Sequence, residues 1–529
     1  MPLSTILRRW LLRLSCLALV GATQAGCASL PAPQPRAPVK AFAEPQATPL
    51  GQLAAAAAPS PEVSGFRLMV SGEDAFGSLA ALADHAQRSL DLQYYLIHTD
   101  GTSRALMQRV HAAADRGVHV RLLLDDLNTS GQDAGLMKLT EHPNIEVRVY
   151  NPFPAGRAAI LSRVLASITD VSRINQRMHN KMFVADNALA ITGGRNLGDA
   201  YFVRNANSNF LDIDLIVAGP AVRRLSATFD AFWNNPLAYP IDLVAEQPLS
   251  ERMAPDSSPV ATTPAGAPSL PELPPAAAIP VVPFAQELAR GQLKLTWAGG
   301  SRVLADKPSK IDPGRTTEAA PQDVISDDVV SLMRSARKEV ILISPYFVPG
   351  ERGVAMVQDL CKRGVRVRIL TNSLATTDAL AVHIGYARYR PALLASCTEL
   401  YEMRPHLNGG HRVNVGAFGS SQASLHAKVL VVDGATSLVG SMNMDPRSEK
   451  LNTEMGVVVR SPQIAQELTR TFEAVAMSCY RLSLGEGQVL RWTTSVPGAQ
   501  PRPDSEPEAK AWTKLAVKVL SPFAPDEML

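Results

Sequence analysis

The chain has 529 residues, 46% apolar and 19% charged, with a formal net charge of +3. This length exceeds one average core and implies two folded units with connecting material, while the composition excludes disorder of the whole. Arg8, Arg9 and Arg13 lie in an acid-free amino-terminal segment, so the rest of the chain is neutral. Neutrality and 5% aromatic content argue against a nucleic-acid binder, which needs a basic footprint and stacking platforms.

Residues 1–27 read as an export signal. Arg8 and Arg9 supply a charged start, LLRLSCLALVGA a short apolar run, and QAGC, ending at Cys27, the form of a bacterial lipobox whose cysteine is lipidated. Gln24 stands where an aliphatic residue is usual, which leaves cleavage by an ordinary signal peptidase open. No later stretch offers about 18 uninterrupted apolar residues, so further attachment is expected to be peripheral. The expected location is the cell envelope, as a lipoprotein on the periplasmic side.

Residues 28–62 read as a Pro/Ala-rich tether and 250–289 as a Pro/Ala-rich linker, because prolines this dense break helices and sheets. They delimit a first domain at 63–249 and a second at 290–485. The tail, 486–529, is expected to carry a short amphipathic helix at KAWTKLAVKVL. Of five cysteines, Cys16 and Cys27 fall in the signal. Cys361, Cys397 and Cys479 read as buried free thiols, with a Cys361–Cys397 pair left open for an oxidising compartment. Their spacing matches no metal site, and neither metal nor cofactor is expected.

The two domains repeat one plan. SLDLQYYLI, SRALMQRVHAAADRG and VHVRLLLDD read as strand, helix and strand, and so do KEVILISPYFV, RGVAMVQDLCKRG and VRVRILTNS. Arg116 and Arg363, His179 and His426, and Asn196 and Asn443 are each 247 residues apart. The alternation predicts two tandem α/β domains with right-handed crossovers.

In RMHNKMFVAD, read as a strand over 177–186, His179 and Lys181 share one face while Met182 and Val184 face the core. A turn at Asp186-Asn187 leads back through ALAITGGRN. SLHAKVLVVDG repeats the pattern with His426, Lys428 and Asp433, and ATSLVGSMN with it. Gly194, Ser441, Asn196 and Asn443 then fall near the end of the return strands, where small residues admit an anion and an amide donates to it. Two lysines and two imidazoles suit a phosphodiester. One histidine attacks phosphorus to give a phosphohistidine, and the other protonates the departing alkoxide. Asp212 and Glu454 are candidates to orient the imidazoles, and Asp186 and Asp433 suit the turns better than the chemistry. Which histidine attacks is open from sequence, with His179 favoured.

His179-Lys181-Asp186 and His426-Lys428-Asp433, followed by GGRN and GSMNMDPRS, resemble the duplicated HKD motifs of the phospholipase D superfamily. RGVHVRLLLDD and HPNIEVRVYNPF further resemble its bacterial cardiolipin synthases. The resemblance implies two phospholipase D-like domains related by pseudo-twofold symmetry, sharing one active site at their interface. It implies phosphatidyl transfer without metal, from a donor such as phosphatidylethanolamine to phosphatidylglycerol, at a membrane surface. Hydrolysis to phosphatidic acid is the alternative, and a nucleic-acid phosphodiesterase the least favoured. An accessory protein is left unidentified.

Overall fold

The computed structural model describes residues 30–32, 35–166, 171–245, 276–311, 324–406, 422–495 and 506–523. The signal segment with Cys27, and residues 250–275 of the expected linker, lie outside the described residues. In the first half the strands are β1 (Ser64–Met69), β2 (Ser89–Tyr94), β3 (His119–Asp125), β4 (Ile145–Tyr150), β5 (Arg177–Met178), β6 (Met182–Ala185), β7 (Leu189–Gly193), β8 (Ser208–Leu211), β9 (Asp214–Ala218), β10 (Ala238–Pro240) and β11 (Thr296–Ala298). The second half follows with β12 (Arg302–Ala305), β13 (Glu339–Ile343), β14 (Arg366–Asn372), β15 (Glu399–Met403), β16 (Gln422–Leu425), β17 (Val429–Val432), β18 (Thr436–Gly440), β19 (Asn452–Thr453), β20 (Met455–Arg460), β21 (Tyr480–Leu484) and β22 (Leu490–Thr493).

Two nine-stranded sheets result, ordered β10-β4-β3-β2-β6-β7-β9-β1-β11 and β12-β20-β18-β17-β13-β14-β15-β21-β22. Their matching centres are parallel crossovers, β2 beside β3 and β13 beside β14, each flanked by an antiparallel hairpin. The crossover helices Gly101–Asp115 and Gly350–Lys362 both end at Arg-Gly-Val, where Gly117 and Gly364 take φ values of 91° and 78°. A left-handed residue just past a helix end is where glycine carries no steric penalty.

Helices Gly72–His85 and Gly101–Asp115 cover the outer face of the first sheet, and Ser326–Arg334 and Gly350–Lys362 that of the second. Helices Pro220–Trp233 and Pro462–Ala476 belong with the inner faces of both sheets to a single core. Phe229 and Trp233 from one half join Leu468 and Phe472 from the other there. Each such side chain contributes about 1.5–3 kcal/mol on burial, so apolar surface holds much of the interface together.

Four expectations change. The tether contains a helix, Pro49–Ala57, capped by Thr48 and burying Leu50 and Ala54 on the first domain. Its Ala/Leu run has high helix propensity and Pro49 sits in the first turn, where proline is tolerated. The linker's end is likewise a helix, Pro283–Ala289, packed on the same domain through Phe284 and Leu288. The boundary drawn at 290 moves, because β11 pairs with β1 of the first sheet, and β22 carries the second sheet past 485. Cys361 and Cys397 form a disulfide with Cα atoms 5.4 Å apart, rather than two buried thiols; Cys479 is buried and free. The odd cysteine count hid the pair, which joins a helix end to a loop 36 residues on.

Candidate active site

The hairpins β6–β7 and β17–β18 turn through Asp186-Asn187 (φ 54° and 49°) and Asp433-Gly434 (54° and 61°). Two left-handed central residues are what a tight two-residue hairpin requires. The Asp186 carboxylate accepts the backbone N–H groups of Gln87, Arg88 and Ser89, and Asp433 those of Arg337, Lys338 and Glu339, at 2.7–3.1 Å. Both aspartates, which complete the HKD motifs but suit the turns in the sequence, sit at the opposite end of their strands from the histidines. They lock each hairpin to the neighbouring strand instead of reaching the site.

The histidines do not lie within a regular strand, as the reading of 177–186 expects. The main-sheet strands begin at Met182 and Val429, and the residues before the histidines leave to pair with the other half. β5 runs parallel to β19, and β16 parallel to β8, forming two small ladders across the interface. The His179 N–H donates to Thr453 O (2.9 Å), and the His426 N–H to Leu211 O (2.8 Å). Each histidine thus stands where the chain passes from an interdomain ladder into its own sheet. The lysines fold back, Lys181 Nζ donating to His179 O (2.7 Å) and Lys428 Nζ to His426 O.

The partners of those ladders deliver the acids. Asp212 directly follows β8 and Glu454 directly follows β19, so each carboxylate is carried across to the other half's histidine. Glu454 Oε2 lies 2.9 Å from His179 Nδ1, and Asp212 Oδ2 2.6 Å from His426 Nδ1. Both acids are fully buried. A carboxylate there accepts Nδ1–H, which leaves Nε2 of each ring as the reactive nitrogen.

The electrostatics of the halves differ. Burial, then Lys181 and Lys428, push His179 well below the usual histidine range. Burial and Lys428 also lower His426, but Asp212 opposes them. Asp212, despite burial, is held down to about 2 by His426 and Lys428, whereas burial raises Glu454 despite Lys181. His426 therefore faces a firmer anion than His179 does. Burial also lowers Lys181 to about 7 and Lys428 to about 8.

Gly194 and Ser441, expected near an incoming anion, lie against the acids. A Cβ on Gly194 would lie 2.2 Å from Asp212 Oδ1. Ser441 Oγ donates to Glu454 Oε2, and Ser448 Oγ to Glu454 Oε1 (2.8 Å). Asn196 and Asn443 are buried, and in each the amide Oδ1 has no partner among the described residues; Asn196 Nδ2 meets Tyr201 OH at 3.0 Å.

Sequence reasoning missed the walls. Tyr95 stands edge-on to His179, and Tyr201 and Phe210 pack on His426, with ring centroids 4.9–5.2 Å apart. Arg195 was also missed; it donates to Asp212 O and pairs with Asp214 (2.9 Å), and Met442 occupies its place in the other half. The Arg in GGRN was the available signal. His383 lies buried beside Arg390 and is bonded to none of these groups. Among the described residues, no group of three or more His, Cys, Asp or Glu is placed to hold a metal ion.

Residues 79–233 and 329–476 match the family model described as "Cardiolipin synthase, PLD-like domain". Cardiolipin synthase C of Escherichia coli (strain K12) is 38% identical over 450 residues, covering 85% of this chain and 92% of that one. An uncharacterized protein of Helicobacter pylori (strain ATCC 700392 / 26695) is 30% identical over 487 residues, covering 92% and 94%. Among solved structures, phosphatidylserine synthase of Haemophilus influenzae Rd KW20 superposes with a TM-score of 0.54. It covers 88% of this chain and 95% of its own at 13% identity, a likeness of fold alone.

Proposed function

From the premise that the chain belongs to the family of cardiolipin synthase, phospholipase D-like domains, and is a phosphatidyltransferase of that superfamily, we propose that it makes cardiolipin through a phosphohistidine. The observation that carries this reading is the crossed pairing of His179 with Glu454 and His426 with Asp212. It supports two imidazoles aimed from opposite walls at one phosphodiester, His179 neutral and His426 protonated once the anionic substrate is bound.

His179 is the nucleophile. Its Nε2 forms a bond to phosphorus as the headgroup ester P–O bond breaks. His426, whose proton Asp212 and the anionic substrate stabilise, gives that proton to the departing alkoxide. The glycerol hydroxyl of phosphatidylglycerol then loses its proton to His426 and attacks phosphorus, and the N–P bond breaks. Lys181 and Lys428 offset charge on the non-bridging oxygens. Asn196 and Asn443 join them with their amides turned to present N–H, an exchange of nearly isosteric ends.

Purified full-length chain, given phosphatidylethanolamine and labelled phosphatidylglycerol in vesicles, should yield labelled cardiolipin. His179→Ala or His426→Ala should each lower the rate by at least about 10²–10⁴-fold. Phosphatidic acid without cardiolipin would establish hydrolysis instead.

We further propose two structural units, ending at β11 and beginning at β12, and export with lipidation at Cys27. Labelled fatty acid should be incorporated into the chain and lost in Cys27→Ala; incorporation by the variant refutes that assignment.

A further inference from the structure

The chemistry above makes no use of residues 506–523. This segment is fastened to the second domain by ion pairs to buried arginines. Glu506 pairs with Arg390 beside His383, and Glu508 accepts from Arg404 Nη2 (3.1 Å) and Tyr480 OH (2.9 Å). Arg390 and His383 are almost fully buried, so these contacts fix where the chain emerges.

A helix follows, Ala511–Leu520, lying against the helix Leu380–Ala387. Thr513, Lys514, Ala516 and Val517 are half-buried. Trp512 is 65% exposed, Leu515 63%, Val519 55% and Leu520 47%. Nine large apolar side chains are exposed among the described residues, and this ten-residue helix holds four of them. Trp512, Leu515 and Val519 follow the i, i+3, i+7 spacing that puts them on one face.

Lys510, Lys514 and Lys518, at i, i+4 and i+8, form a second stripe beside the first. None of the three has an ion-pair partner among the described residues, and the helix contains no acidic residue. Glu506 and Glu508 are consumed by Arg390 and Arg404. An apolar face ending in an exposed indole, bordered by unopposed lysines, is complementary to the boundary between acyl chains and anionic headgroups. Ten residues span about 15 Å, too short to cross a bilayer, so the helix would lie in the interface plane.

Its position links it to the reaction. The loop before the helix Leu380–Ala387, and the end of β14 that leads into it, are tied to β16: Ser424 Oγ donates to Thr376 O (2.8 Å), and Asn372 bonds Leu425 through both its amide atoms. His426 is the next residue. We propose that the exposed face of Ala511–Leu520 docks the enzyme on a bilayer containing anionic phospholipid and so sets the inclination of the cleft toward its lipid substrates. This link to turnover rests on the transfer reading above, but the docking itself does not.

The test uses full-length chain and vesicles of phosphatidylethanolamine, phosphatidylglycerol and acyl-brominated phosphatidylcholine. The quenched emission present in the wild type and absent in Trp512→Phe reports Trp512 alone. Trp512 should be quenched, and Lys514→Glu/Lys518→Glu should reduce that quenching roughly tenfold at limiting lipid. Leu515→Ser/Val519→Ser should lower turnover on vesicles yet leave turnover of monodisperse short-chain phosphatidylethanolamine and phosphatidylglycerol unchanged. Unquenched Trp512, quenching indifferent to the lysine reversal, shielding of Trp512 only by a second protein, or equal loss on both substrates would overturn the proposal. Wild type inactive on both substrates but quenched would sink the transfer reading and leave docking intact.

Discussion

The histidines are near copies by sequence but differ in environment, and that difference underlies the separate roles proposed for them. His179 is pushed far toward neutrality by burial and two lysines, while Asp212, held down to about 2, keeps a firm negative charge beside His426. A nucleophile gains from neutrality and a general acid from a counter-charge. A donor whose leaving group is p-nitrophenolate needs no proton from the enzyme. With it, His426→Ala should recover much of its first-step rate and His179→Ala none, read from the burst of p-nitrophenol. Equal rescue would reverse or erase the assignment. The lysines give a second handle. In the free site Lys181 titrates at about 7 and Lys428 at about 8, both lowered first by burial. The protonated forms bind the phosphodiester, whose own charge is constant here, so raising the pH weakens capture. The value of kcat/KM should fall about tenfold per pH unit between 7 and 8 and more steeply above 8. A flat profile from pH 7 to 9 would show that the lysines do not hold the anion.

Among the elements, the interdomain ladders β5–β19 and β8–β16 do what the hairpins cannot: they carry each acid across to the other half's histidine. Gly194 is a tight point of this arrangement, because a methyl group there would overlap Asp212 Oδ1. Gly194→Ala should displace Asp212, leave the fold intact by circular dichroism, and lower kcat by about 10²-fold with little change in KM. Ser441→Ala, which only removes a donor to Glu454, should cost less. A Gly194→Ala variant as active as wild type would mean that Asp212 does not position His426. The hairpins were legible in the sequence, because Asp433-Gly434 and the alternation of Met182 and Val184 are local signals. The ladders were not. β5 and β19 are two residues each, and their pairing partners lie 275 residues away, beyond any periodicity. The Pro49–Ala57 helix was hidden for a different reason. Low-complexity composition looks like a tether until Leu50 and Ala54 are seen to find a core.

At the scale of the molecule, duplication made the two domains and both acids legible, since equal offsets connect residues far apart in the chain. The offset breaks between Asn196 and Asp212, because Asp212 and Glu454 are 242 residues apart and not 247. The five-residue difference falls in the loops after the asparagines, and there the halves diverge most. One loop brings Tyr201 onto His426, and the other brings Ser448 onto Glu454. Because each acid serves the opposite half, one chain forms one site and neither half holds a complete histidine–acid pair. The shared core of Phe229, Trp233, Leu468 and Phe472 keeps that site within the chain. A mixture of His179→Ala and His426→Ala chains should therefore stay inactive. Each carries a lesion in its only site, and exchange of halves would require opening the common core. Refolding the two variants together from denaturant should instead restore up to about a quarter of wild-type activity if halves exchange between chains, and none if they do not. We expect none, because intramolecular closure outcompetes pairing between dilute chains. Restored activity that rises with protein concentration during refolding would show that the interface forms between chains as readily as within one.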